Sequence, residues 1–285
     1  MRLRWPSLKP YLLIAPQTLI LLTFLIVPIG MIAVVSFWEF NGYAMSPALS
    51  WANYASIFTS RVYLATYLNT FKFAAIVWAV TLVIAYPIAY FLAFEIRSLR
   101  WQVFWFVLCT IPFFTSNIIR MIAWIPFLGR EGLLNQLLLS LGLIQEPLEI
   151  LLFSDFAVIL ALVHLYVLFM IVPIFNSLMR IDRQLITAAQ DAGAAGWQVL
   201  REIILPLSAP GVAIGSIFVV TMVMGEFTTI RLMSGGQASA VGYAIRNQIG
   251  SLQYPLAAAN AVILLVVTLT LVFGILRTVD LRQEL

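Results

Sequence analysis

Cysteine, histidine and lysine are nearly missing from this chain. The single cysteine, Cys109, lies in an apolar run after Trp105, so neither a disulfide framework nor a cysteine-based metal site is available. The single histidine, His164, removes most zinc chemistry as well. Lys9 and Lys72 are the only lysines and neither follows a glycine, which excludes a glycine-rich phosphate loop with its lysine. Charge is scarce too: 10% of the 285 residues are Asp, Glu, Lys or Arg, against about 25% in soluble domains. A chain so poor in charge cannot cover a water-facing surface. Its 62% apolar residues and mean hydropathy of +1.01 exceed what one globular core buries, and they exclude disorder. The formal net charge of +4 does not imply nucleic acid, because in a membrane protein the placement of Lys and Arg says more than their sum.

What the chain has in abundance is long apolar runs. A bilayer core of about 30 Å needs roughly 20 such residues per helix. Six stretches qualify: Tyr11 to Ser36, Leu68 to Phe94, Trp101 to Pro126, Ser154 to Leu178, Pro210 to Ile230 and Ala257 to Leu276. The first follows Arg2, Arg4 and Lys9 like a signal peptide, but its apolar run is too long and ends at Phe37-Trp38 without a small-residue cleavage site, so it is expected to stay as a helix. With six crossings both termini share one side. The loops of that side hold Arg2, Arg4, Lys9, Arg97, Arg100, Arg180, Arg183, Arg201, Arg277 and Arg282, whereas the opposite loops hold Arg61, Arg130, Arg231 and Arg246. This bias predicts cytoplasmic termini in a multi-pass membrane protein. Trp38, Tyr43, Trp51, Tyr54 and Tyr63 gather on the outer side as an interfacial belt. No linker, low-complexity tract or internal repeat divides the chain, so residues 1–285 read as one transmembrane domain of all-α class.

The long cytoplasmic loop 179–209 reads as a helix-turn-helix that does not span. Asp182 is placed to cap a helix over Arg183 to Ala192, and Gly193 can take the left-handed conformation that ends it. A second short helix, Gly196 to Leu205, is expected to stop at Pro206, with Ser208 and Pro210 opening the fifth span. Ala188, Ala189 and Ala192 give the first helix a small-residue face. That pattern fits either an amphipathic helix on lipid headgroups or a plug for a partner's groove.

Here the residues resemble a known pattern. Thr187-Ala188-Ala189, three residues, Gly193, nine residues and Ile203-Ile204-Leu205-Pro206 match the EAA loop of ABC-importer permeases, which runs Glu-Ala-Ala, three residues, Gly, nine residues, Ile-x-Leu-Pro. Thr187 stands where that pattern has Glu. Ile111 to Arg120, Gly132-Leu133-Leu134-Asn135, Val172-Pro173 and the segment from Gly225-Glu226-Phe227 through Gly235-Gly236 to Gly242 resemble the spermidine/putrescine-type permeases. The resemblance implies a type I permease fold of six transmembrane helices, with a coupling helix between helices 4 and 5. It implies no enzymatic activity and no cofactor in this chain, ATP and magnesium being bound by a separate ATPase dimer. Thr187, Ala188, Ala189, Asp191, Gly193, Ile203, Leu205 and Pro206 would meet that ATPase. A second related permease, an extracytoplasmic solute-binding protein and the bilayer complete the partners. The cargo would be a polyamine or polyamine-like solute, with opines, aminophosphonates and other small organic ions as alternatives.

Charges within a bilayer normally face a cavity or a partner. Lys72 can snorkel from the outer end of the second helix. Arg120 follows Asn117 by three residues on one helical face, and Glu226 lies deeper than the outer loop, on a helix that the resembling permeases use to line the pathway. Two readings of Asn117, Arg120 and Glu226 stand open: an interhelical Arg120–Glu226 salt bridge, or a cargo path in which Glu226 attracts an ammonium group. Asn69 is a weaker candidate, and His164 reads as a hydrogen-bonded core residue. Gly211 and Gly215 form a small-xxx-small pair suited to tight helix crossing. Gly129 to Leu143 suggests a short amphipathic helix at the outer interface. The rival classes are an intramembrane enzyme, for which no rhomboid-like, zinc-protease or Gly-x-Gly-Asp signature is present, and a secondary transporter, which would show paired repeats.

Overall fold

The computed structural model of the chain describes residues 9–278, with side chains from residue 13 onward. Arg2, Arg4 and Arg282 lie outside the described residues, as does the side chain of Lys9. Two compact units share the chain: residues 1–60 with 245–263, and residues 61–244 with 264–285.

The first unit opens with α1 (Lys9–Val35), whose hydrophobic window is 0% buried, so its leucines and isoleucines are left for lipid or protein contact. A two-residue hairpin follows, β1 (Glu39–Phe40) against β2 (Met45–Ser46), and then α2 (Ala52–Thr59). Asn53 holds the chain between them by donating to the carbonyls of Ser36 and Trp38, both at 2.9 Å. Phe37, Trp51 and Tyr54 stack into an aromatic cluster, with ring centroids 5.0–5.5 Å apart.

The second unit is built on three helices: α3 (Arg61–Tyr90), extended by a π-helical turn Phe91–Glu95, α7 (Asp155–Met179) and α10 (Leu205–Gly225). Small residues bring α10 onto α7. A Cβ on Gly211 would stand 2.5 Å from the Pro173 carbonyl oxygen, and one on Gly215 would stand 2.7 Å from the Met170 sulfur. The small-xxx-small reading of this pair therefore holds. Hydrogen bonds from Trp78 to Ser216 (2.8 Å) and between Tyr86 and Ser208 (2.9 Å) tie α3 to α10.

Between α3 and α7 the expected single span Trp101 to Pro126 is broken. Helix α4 (Leu99–Thr110) passes into a 3₁₀ turn over Ile111–Phe114, and α5 (Asn117–Leu128) starts afresh, the two halves being bent by 89°. Pro112 supplies no N–H, and Thr115 turns back to the Pro112 carbonyl with both its N–H and its hydroxyl, so the backbone leaves the helical path. Among the described residues five helices are long and apolar enough to cross a membrane, six with the bent pair counted as one span. The outer helix expected within Gly129 to Leu143 is α6 (Leu133–Ser140). Buried Asn135 fixes it by donating to the carbonyls of Gly129 and Leu148 and accepting from the Leu148 N–H.

The helices of the 179–209 loop are α8 (Arg183–Asp191) and α9 (Gly196–Val199). The expected stop at Pro206 does not occur. A π-helical turn over Leu200–Ile204 shifts the hydrogen-bond register and carries the chain without interruption from Gly196 to Gly225. Pro206 enters the first turn of α10, where its missing N–H is harmless, and Ser208 is buried inside the span rather than opening it. The same span ends earlier than expected, at Gly225 instead of Ile230, and α11 (Thr228–Met233) follows as a separate helix. The chain closes with α12 (Val241–Gly250) and α13 (Tyr254–Thr278).

Candidate functional site

The loop around α8 is built from local rules. Asp182 accepts a 2.9 Å hydrogen bond from the Gln184 N–H and so caps α8. At the other end Gly193 has φ +88°. Its N–H bonds to Gln190 O and the Ala194 N–H bonds to Ala189 O, the paired closure that a left-handed residue makes at a helix end. Ile186, Ala189 and Ala194 pack inward against the core, leaving Thr187, Ala188, Asp191, Ala192 and Gly193 exposed. Thr187 folds its hydroxyl back onto the Arg183 carbonyl. Ile203 is half-buried, whereas Leu205 and Pro206 remain exposed. The loop motif thus divides between an outward face at Thr187, Ala188, Asp191 and Gly193 and an inward anchor at Ala189 and Ile203.

The intramembrane polar residues meet at two breaks. Asn117 and Arg120 stand in the first turns of α5, after the break in the third span, and the Arg120 guanidinium donates to Asn117 Oδ1 at 2.7 Å and to the Thr115 carbonyl at 3.2 Å. Glu226 is not part of a transmembrane helix: it occupies the break between α10 and α11, with extended backbone. One carboxylate oxygen accepts the Tyr166 hydroxyl at 2.6 Å and the other accepts the Thr229 N–H at 2.9 Å, so the carboxylate also caps α11. Gly242 lets the following segment close on this break, since a Cβ there would lie 3.0 Å from the carbonyl oxygens of both Gly225 and Glu226.

Asn117, Arg120 and Glu226 line one cavity of about 420 Å³ with Phe113, Tyr166 and Phe169, and Asn117 and Glu226 border an adjoining space of about 330 Å³. The Arg120–Glu226 salt bridge considered from the sequence is absent: among the described residues the ion pairs are Lys72–Asp155 and Arg130–Glu149. Arg120 Nε is buried without a hydrogen-bond partner. The cavity wall therefore carries one carboxylate and one guanidinium, each held by neutral neighbours and not by the other.

Lys72, expected to snorkel, instead reaches Asp155 at the start of α7. His164 Nδ1 accepts from the Trp124 indole at 3.1 Å, as a hydrogen-bonded core residue does. Asn69 donates to Ser239 at 3.0 Å. Sequence reasoning missed Tyr166, whose one signal is a phenol within an apolar span, a group that when buried needs a polar partner.

Comparison with known proteins supplies the family. The chain is 31% identical over 257 residues to the spermidine/putrescine transport system permease protein PotB of Haemophilus influenzae, covering 89% of this chain and 88% of that protein. It is 36% identical over 159 residues to PotB of Escherichia coli K12, covering 55% and 56%, so the chain spans about half the length of that relative. The same holds for PotB of Salmonella typhimurium, where 53% of the relative is spanned. A chain of a bacterial alginate ABC transporter, solved in complex with an alginate pentasaccharide-bound periplasmic protein, has a similar fold, with TM-score 0.74 at 19% identity over 94% of this chain and 92% of that one. A family model matches residues 82–283, which take in the broken third span, the α8 loop and Glu226, and on this match the chain belongs to the family described as binding-protein-dependent transport system inner membrane component.

Proposed function

We propose that residues 1–285 act as one permease domain, forming half of the pathway of an ATP-driven importer for small organic solutes bearing ammonium groups, of the polyamine kind for which the similar permeases are named. A second related permease supplies the other half, a soluble binding protein delivers the solute outside, and an ATPase dimer engages α8 from the cytoplasm, where both termini lie. The observation that carries the reading is α8 itself: a capped helix ending at a left-handed glycine, anchored inward by Ile186 and Ala189, with an exposed small-residue face. Small side chains allow another protein's backbone to approach closely, whereas a helix resting on headgroups would present basic residues around a continuous apolar stripe. In the membrane, Glu226 with Asn117 and Arg120 lines the solute's path. The Glu226 carboxylate attracts the ammonium group, and the Tyr166 hydroxyl and the Thr229 N–H fix its orientation, one on each oxygen.

Affinity purification of the tagged chain from membranes tests the docking half of this reading: an ATPase and a second permease are expected to co-purify, and their absence would remove it. For topology, cysteines placed at positions 190 and 131 in a Cys109→Ala background should react with an impermeant maleimide in intact cells only at 131. For the pathway, Glu226→Gln keeps the shape and loses the charge, so uptake of radiolabelled spermidine per assembled complex should fall; undiminished uptake would remove Glu226 from the path.

A further inference from the structure

The hydrogen bonds at the two ends of α3 connect the docking loop to the outer side of the unit. At the cytoplasmic end, the π-helical turn Phe91–Glu95 leaves carbonyl groups outside the regular helical register. Two side chains from other elements take them. Gln102 of α4, itself buried, donates to the Leu92 carbonyl at 2.8 Å and lies 3.2 Å from the Met179 sulfur at the end of α7. Arg183, the first residue of α8, donates to the Ala93 carbonyl at 2.9 Å. At the outer end, Asn69 donates to Ser239, and the buried Thr70 hydroxyl accepts the Val241 N–H at 2.9 Å. The two sets of joints are separated by roughly 36 Å of helix at 1.5 Å per residue. Between them, Trp78–Ser216 and Tyr86–Ser208 brace α3 against α10.

We propose that Arg183 and Gln102 are positioning residues that join the docking loop to α3, and that α3 carries the loop's movement to the outer segment at Ser239 and Val241. This rests on the reading of α8 as the ATPase docking element. The chemistry suits a mechanical joint. A guanidinium on a helix-end carbonyl is a charge-assisted bond aligned with the negative end of the helix dipole, stronger than a neutral one. Gln102 holds the adjacent carbonyl from a buried position, so α8, α4 and the end of α7 meet the same turn of α3. Because packed helices shift between discrete arrangements and do not stretch, a pull on Arg183 is passed along α3. The Thr70 and Asn69 joints deliver it beside Gly235 and Gly236, whose φ values of +61° and +81° mark the turn after α11.

The test uses the complex co-purified with its ATPase and second permease, in lipid nanodiscs, with Cys109→Ala and a reporter cysteine at exposed Arg231 of α11. The rate of modification by an impermeant maleimide is measured without nucleotide and with ATP and vanadate. The reporter rate should change on nucleotide trapping in the otherwise unaltered complex. Arg183→Gln should shift the balance between the two states by about tenfold, the worth of one charge-assisted hydrogen bond, and so remove most of that change while the ATPase stays bound and hydrolyses ATP. Arg183→Lys, which can still donate to Ala93 O, should restore it. A full nucleotide response in Arg183→Gln, failure of Arg183→Lys to restore it, or no response in the unaltered complex would overturn the proposal. Should Arg183→Gln release the ATPase, Gln102→Leu and Thr70→Val, which leave α8 untouched, decide: a lost response in both supports the joint, and a full response in either overturns it. The docking reading fails by a different result, namely an ATPase that stays bound and productive after Gly193→Asp.

Discussion

The α8 loop and the Glu226 cavity are the two candidate functional regions of one polypeptide, yet they are assembled in opposite ways. In the loop, every defining feature lies within a dozen residues: Asp182 caps, Gly193 closes, and the alanines between them set the face. The cavity draws Asn117 and Arg120 from α5, Tyr166 from α7 and Glu226 from the break after α10, residues more than a hundred positions apart in the chain. A site of the first kind is a local motif that a membrane bundle displays, and a site of the second kind exists only while that bundle is packed. Damage to packing should therefore abolish the cavity and the loop together, whereas damage to the loop should leave the cavity intact.

The largest effect is expected from Gly211→Val, because even its Cβ would overlap the Pro173 carbonyl and Ser177. Forcing α10 off α7 should cost about 3 kcal/mol, the upper end of overpacking penalties. Thermal denaturation followed by fluorescence size-exclusion should show loss of folded chain, and a normally assembled complex would show that the two helices are not held at that spacing. Next in size is Gly193→Asp. Space around the Cβ is open, so the penalty comes from the left-handed backbone, about 1–2 kcal/mol, and from a new charge on the docking face. Membrane insertion should survive and ATPase co-purification should fail, which separates the loop from the bundle as the comparison requires.

A smaller change should follow Tyr166→Phe, which removes one hydrogen bond to the Glu226 carboxylate and is expected to cost about 1 kcal/mol. The Thr229 N–H still holds the other oxygen, so the complex should assemble while uptake per complex drops. If Tyr166→Phe altered ATPase binding as strongly as Gly193→Asp does, the two regions would not be separable. The smallest effect is expected from Thr187→Glu, which restores the acidic residue of the resembling motif at an exposed position. Ion pairing with a partner there is worth under about 1 kcal/mol, and a titration of ATPase binding should register it as a modest, salt-sensitive gain.

Much of this architecture was legible in advance. The apolar runs located the spans, the cap and left-handed glycine located α8, and Gly211 and Gly215 announced a close crossing that the packing of α10 on α7 shows. The errors have a common origin. Pro112 and Pro206 are the same residue type in similar apolar surroundings; the sequence predicts a continuous span through the first and a helix stop at the second, and the structure reverses both. Pro112 ends a helix because Thr115 offers its backbone and hydroxyl an alternative route to the Pro112 carbonyl. Pro206 ends nothing because the π-turn before it has already shifted the hydrogen-bond register, so its missing N–H leaves no gap.

Composition and spacing alone determined that this chain spans a membrane, that it carries a small-residue helix in a loop between spans, and that these residues hold neither a disulfide nor a glycine-lysine phosphate loop. Those properties follow from transfer free energies and local backbone preferences, which act residue by residue or within one helical turn. Only the tertiary structure decided that Glu226 caps α11 and pairs with Tyr166 and not with Arg120, that Lys72 meets Asp155, and that Arg183 reaches back to the end of α3. A hydrogen bond between side chains distant in sequence depends on the rotation and crossing of whole helices. Helix rotation is set by the summed packing of many small contacts, which no single segment of the sequence contains.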